Sequence, residues 1–216
     1  MCRLLGVVAD KVAPVSELLA EDLELFLALA DEHADGWGIA FRDHTRRVRI
    51  AKEPWGASRS ERLRSWFDIY LTDMAVVHLR MASPAFAVTP ANTHPFGDPR
   101  AAFAHNGDFT PATCLDRRIS IGGLRSAKGD TDSERYYLAV RDRLDDGETP
   151  ARAIAGVADD IRIQAKRYAS LNCLLLTPDG LFGYVEHDPD AEVSRRRGPA
   201  YFGLHYRRQP GKVVIA

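Results

Sequence analysis

The apolar runs of this 216-residue chain are all short, and they come in groups. Residues 4–9, 36–41, 47–51, 74–79, 101–105, 171–177 and 181–186 each have the length of a strand, and polar or turn residues bound them. The closing GKVVIA also reads as a strand. Residues 15–30, 58–71, 133–144 and 151–165 carry the 3.6-residue period of amphipathic helices; in the first, Val15, Leu18, Leu19, Leu23, Phe26, Leu27 and Ala30 form the apolar face behind Pro14. Asn106–Gly107 reads as a turn that stops the strand before it, and Pro178–Asp179–Gly180 as the turn of a hairpin. Strands and helices cluster instead of alternating. That predicts a single α+β domain over residues 1–216, with two mostly antiparallel sheets packed together and helices outside.

Composition narrows the function classes. A net charge of -1 provides no global basic field for nucleic acid, and the arginines are interspersed with acidic residues. Cys2, Cys114 and Cys173 form no CxxC pair, so neither a disulfide framework nor a zinc motif is expected, and a reducing cytoplasm fits. The run at 4–9 is too short for an export signal, and no stretch approaches the roughly 20 apolar residues of a membrane span.

Cys2 has two remaining readings: a small buried residue of the first strand, or a nucleophile exposed by removal of Met1. In the second, the new α-amine (pKa about 7.7–8.0) is a base for its own thiol (about 8.5). Attack on an amide carbonyl then calls for an oxyanion hole. The Asn106 amide and the Gly107 N–H can supply one, although Asn-Gly equally describes a plain turn. Arg80 ends an apolar strand, where it either pairs with a structural acid or grips a ligand carboxylate. Asp132, in GDTDSE, either caps a helix or holds a ligand ammonium. Together Arg80 and Asp132 describe a site for a free amino-acid head. His78, His94 and His105 lack metal-ligand spacing and are expected to be hydrogen-bonded structural histidines, with no metal.

In order, MCRLLG, DGWGIAF (35–41), HLRMAS (78–83), NTHPF (92–96), FAHNG (103–107) and DTDSE (130–134) resemble the class II glutamine amidotransferases, of the N-terminal-nucleophile hydrolase superfamily. The short, stand-alone bacterial members are the most similar. The resemblance implies a four-layer αββα sandwich and cleavage of the γ-amide of glutamine, or of a γ-glutamyl compound, through a thioester on Cys2. It implies Asn106 and Gly107 as the oxyanion hole, Arg80 with Ser83 for the substrate carboxylate, Asp132 for its ammonium, and Trp37 and Gly38 as shapers of the pocket. Met81 stands where larger members carry a lid tryptophan. No cofactor is implied. The expected partners are a glutamine or γ-glutamyl small molecule and, for the ammonia, a separate synthase subunit. Relatives of the group act on γ-glutamyl amides in ergothioneine synthesis and glutathione breakdown, which makes such a thiol compound the alternative substrate. Retention of Met1 would instead leave a non-catalytic glutamine-binding subunit.

Overall fold

The computed structural model describes residues 2–216, without the side chains of Arg59 and Pro199. Strand β1 (Arg3–Pro14) and helices α1 (Val15–Leu19) and α2 (Glu21–Leu27) lead into the hairpin β2 (Trp37–Arg42) and β3 (Val48–Glu53). Helix α3 (Glu61–Ile69) precedes β4 (Leu71–Leu79). After a loop come β5 (Phe96–Asp98), β6 (Ala101–Thr110), α4 (Ile121–Arg125), α5 (Asp132–Asp145) and α6 (Pro150–Gln164). The hairpin β7 (Arg167–Thr177) and β8 (Gly180–Tyr184) follows, then α7 (Glu192–Arg197), β9 (Tyr206–Gln209) and β10 (Lys212–Ile215).

The strands form a six-stranded sheet in the order β3-β2-β4-β1-β10-β9 and a four-stranded sheet in the order β5-β6-β7-β8. All neighbours are antiparallel. Because successive side chains of a strand point to opposite faces, each sheet splits its apolar residues between two layers. Leu5, Val7, Ile39, Phe41, Val77 and Leu79 pack with Leu18, Leu19 and Leu63 of the helices over the larger sheet. Phe103, Leu171 and Leu175 pack with Tyr136, Ile154 and Val157 of α5 and α6 over the smaller one. Between the sheets lie Leu4, Ala40, Val76, Ala102, Ala104 and Leu174. The result is the expected αββα sandwich. Each fully buried Leu, Val or Phe contributes roughly 1.5–3 kcal/mol, whereas an exposed pair such as Lys11–Glu17 contributes at most about 1 kcal/mol. The three apolar layers, not the many surface arginine pairs, hold the fold.

Two expectations need correction. The helix expected over 15–30 is broken at Ala20, whose φ of 47° ends α1 and starts α2. The break keeps Leu18 and Leu19, and then Leu23 and Phe26, all buried. Asn106–Gly107 is not a turn. Strand β6 runs through it to Thr110, with Asn106 opposite Asn172 and Gly107 opposite Leu171 on β7. Glycine is required here by close approach: a Cβ on Gly107 would lie 1.7 Å from the Ser170 carbonyl oxygen.

Candidate active site

The period-two alternation that builds the inter-sheet layer also carries polar residues to one end of it. On β1 Leu4 faces the other sheet, so Cys2, two residues earlier, takes the same face. On β4 Val76 does so, and His78 follows it, with Arg80 just past the strand end. On β6 Ala102 and Ala104 do so, and Asn106 follows. Register aligns these positions, since Leu4 pairs with His78 and His78 with Gly38. A Cβ on Gly38 would lie 2.0 Å from the His94 carbonyl oxygen, so the bare glycine admits the NTHPF loop directly onto β2.

Cys2 is buried, and its Sγ lies 3.7 Å from the Met81 carbonyl oxygen as a hydrogen-bond donor. Burial pushes its thiol up; the Met81 backbone and the Arg80 charge oppose this, and Asp132 adds to it. Such a thiol stays protonated until a base takes its proton. The His78 and His94 rings stack with centroids 4.2 Å apart. The expectation of hydrogen-bonded histidines is not met for this pair: among the described residues neither ring has a partner at hydrogen-bonding geometry, although the His105 backbone lies close enough to His78 to favour its charged form. Burial, opposed by the nearby His105 backbone, pushes His78 down to about 3, and burial likewise depresses His94, so both are neutral. His105 behaves as expected: its ring nitrogens lie 2.8 Å from Ser133 Oγ and 3.0 Å from the Ser170 carbonyl.

Arg80 is only 3% exposed. Its guanidinium donates to the Asp35 and Ala87 carbonyls, each at 3.3 Å, and makes no ion pair among the described residues. Its own N–H donates to the Gly36 carbonyl at 2.8 Å, and Asp35 Oδ2 accepts from the Ala82 N–H at 2.8 Å, which pins the segment to the DGWG turn. Ser83 continues that segment and, with Met81, Ala82 and Asp108, lines an open cleft of about 760 Å³.

In GDTDSE the capping and ligand readings fall on different residues. Thr131 is the N-cap, accepting from the Glu134 N–H at 3.1 Å, while Asp132 is the first residue of α5. Asp132 is buried and accepts from the Phe109 N–H at 3.0 Å and the Ser133 N–H at 2.8 Å. Burial outweighs those donors and raises its carboxyl to about 6. Asn106 is buried, its Oδ1 has no partner among the described residues, and with Arg3, Leu4 and Asn172 it lines a second cavity of about 410 Å³. Trp37 is fully buried in the apolar layer on the helix side of the larger sheet, its indole N–H without a partner among the described residues.

Sequence reasoning missed three positioning residues. Asp35 fastens the Arg80 segment. His94 reaches the Cys2 end through the bare Gly38. Asn92 exchanges hydrogen bonds with Asp130 (2.8 and 3.1 Å), clamping the NTHPF loop onto the start of α5. Their motifs were visible, but no strand period marks loop residues. Removal of Met1 concerns a residue outside those described.

Among the described residues no helix is long and apolar enough to cross a membrane. A model of the glutamine amidotransferases class-II family matches residues 1–206. An uncharacterized protein of Methanocaldococcus jannaschii is 31% identical over 211 residues, which cover 93% of this chain and 56% of that protein. The chain thus spans a little over half the length of that relative. Among solved structures, a glutamine aminotransferase class-II domain protein from Silicibacter pomeroyi superposes with a TM-score of 0.67 at 17% identity, over 99% of this chain and 87% of that one. The glutamine phosphoribosylpyrophosphate amidotransferase of B. subtilis superposes with a TM-score of 0.63 at 15% identity, over 100% of this chain and 41% of that one. With the αββα sandwich, the ordered motifs and the match over nearly its whole length, the chain belongs to the class II glutamine amidotransferases.

Proposed function

We propose that this chain hydrolyses the γ-amide of glutamine, or of a γ-glutamyl compound, through a thioester on Cys2. The observation that carries this reading is Arg80, a buried guanidinium that among the described residues is bonded only to backbone carbonyls. Burying a cation without an anion is costly, and a substrate α-carboxylate supplies the missing partner. Asp132, whose charge is felt at Cys2 as Arg80's is, takes the α-ammonium.

With the amino-acid head so held, the Cys2 sulfur attacks the γ-carbonyl carbon. The thiol proton passes to the Cys2 α-amine freed by removal of Met1 and then to the leaving nitrogen. The Asn106 amide and Gly107 N–H stabilise the oxyanion, a contribution of about 3–4 kcal/mol for one such donor. The C–N bond breaks and the amine departs. Water then adds to the thioester, the C–S bond breaks, and glutamate and the free thiol are restored. The Asn106 Oδ1, which lacks a partner among the described residues, leaves the amide orientation to be set by bound substrate.

A second reading concerns the leaving group. The cleft beside Met81 and Ser83 is far larger than ammonia needs, and Asp108, Arg167, Asp188 and Arg196 line it. This favours a γ-glutamyl conjugate with a polar amine, in which case no ammonia-accepting synthase is needed. Release of glutamate from glutamine and from γ-glutamyl peptides, by wild type and Cys2→Ala, tests both readings. Equal rates in the two proteins refute the Cys2 assignment. A preference for glutamine over every conjugate refutes the second reading alone.

A further inference from the structure

The mechanism above leaves His78 and His94 unused, although both lie against the nucleophile. The Cys2 Sγ and one ring nitrogen from each histidine all lie within 4.8 Å of one another. All three residues are buried, and among the described residues neither ring has a partner at hydrogen-bonding geometry, the His105 backbone lying nearest His78. Unpartnered lone pairs of neutral imidazoles beside a thiol are a costly arrangement in a core, and they are the donor set that borderline-soft divalent metals prefer.

We propose that Cys2, His78 and His94 form a binding site for a divalent transition-metal ion of the zinc type, which caps the nucleophile reversibly. Tetrahedral zinc, with bonds of about 2.3 Å to sulfur and 2.0–2.1 Å to nitrogen, places its ligands roughly 3.3–3.6 Å apart. The ligand atoms, no more than 4.8 Å apart, therefore need to approach one another by at most about 1.5 Å. Binding forms a metal–sulfur bond and releases the thiol proton to solvent, with no change of oxidation state. Three protein ligands leave a fourth position, which water fills. When Met1 is removed, the Cys2 α-amine fills it instead, closing a five-membered N,S chelate. Among the described residues neither ring has the carboxylate or hydroxyl partner that stiffens structural zinc ligands, so binding is readily reversed by a chelator. The consequence for activity rests on Cys2 being the nucleophile; the binding itself does not.

Cobalt(II) is the probe for the experiment. One equivalent added to the metal-free full chain is expected to produce a thiolate-to-cobalt charge-transfer band and the strong visible bands of tetrahedral cobalt, both bleached by zinc. Cys2→Ala should lose the thiolate band, His78→Gln and His94→Gln should each weaken binding at least about 10-fold, and Cys114→Ser should match wild type. Circular dichroism melts establish that each variant is folded. In wild type alone, zinc should protect Cys2 from iodoacetamide and a chelator should restore the reaction, which needs no variant. Absence of the bands in wild type, their persistence in Cys2→Ala, or unweakened binding in both histidine variants overturns the site. A cobalt band without Cys2-dependent amidase activity refutes the catalytic reading and leaves the metal site standing. Cys2-dependent activity without the band does the reverse.

Discussion

The histidines on the two faces of this sandwich are treated in opposite ways. On the helix side, His105 is bonded at both nitrogens, to Ser133 and Ser170. On the inter-sheet side, His78 and His94 are equally buried, yet among the described residues neither has a partner at hydrogen-bonding geometry. Among those residues the same end holds Arg80 without an ion pair and the Asn106 Oδ1 without a donor. Around His105 the fold itself completes the histidine, whereas at the Cys2 end between the sheets it leaves His78, His94 and Asn106 open. Burial without completion costs stability and is repaid by a ligand or a reaction.

The largest expected effect is on turnover. Cys2→Ala should lower amide hydrolysis by at least about 1000-fold, as removal of a nucleophile does, while the melting temperature moves little. Arg80→Ala should raise KM for glutamine by roughly 10–150-fold, the equivalent of about 1.5–3 kcal/mol for hydrogen bonds to a charged group. Arg80→Lys should recover only part of this, because an ammonium cannot pair bidentately with the carboxylate. Gly107→Ala tests the strand that carries Asn106. With the new Cβ 1.7 Å from the Ser170 oxygen, the strands must part, at a cost of roughly 1–3 kcal/mol in thermal or urea unfolding.

Ser133→Ala sharpens the contrast from the helix side. It removes one partner of His105, and also the 3.3 Å hydrogen bond from the Ser133 hydroxyl to Asp132, and should lower stability by about 1 kcal/mol with a much smaller rise in KM than Arg80→Ala. The smallest effect concerns pH. Burial raises Asp132 to about 6, so as pH falls through 6 the carboxylate takes up a proton and loses its hold on the ammonium. KM should therefore rise as pH falls, by about twofold at the midpoint. Asp132→Asn should show a high KM without that step.

Much of this architecture was legible in the residues. The strand runs, their grouping and the Pro178–Asp179 hairpin follow from period and turn chemistry, and the Cys2, Arg80 and Asp132 motifs follow from residue type and order. Four features were not legible, for physical reasons. Asn-Gly usually signals positive φ, but here Gly107 stays in a strand because the neighbouring backbone comes too close for a Cβ. Ala20 breaks an otherwise regular helical period through a left-handed φ that alanine does not advertise. The Cys2–His78–His94 cluster arises from strand register and a loop seated on Gly38, contacts between positions far apart in the chain. The short edge strands β5 and β9 carry too few residues for any period to show.

The central claim is that Cys2 carries the acyl group. Acid-quenched turnover with glutamine, followed by peptide mass spectrometry, tests it most directly. The expected result is a γ-glutamyl adduct on a peptide that begins at Cys2, with Met1 absent, and no adduct in Cys2→Ala. An adduct on another residue, or full turnover by protein that retains Met1, would contradict it.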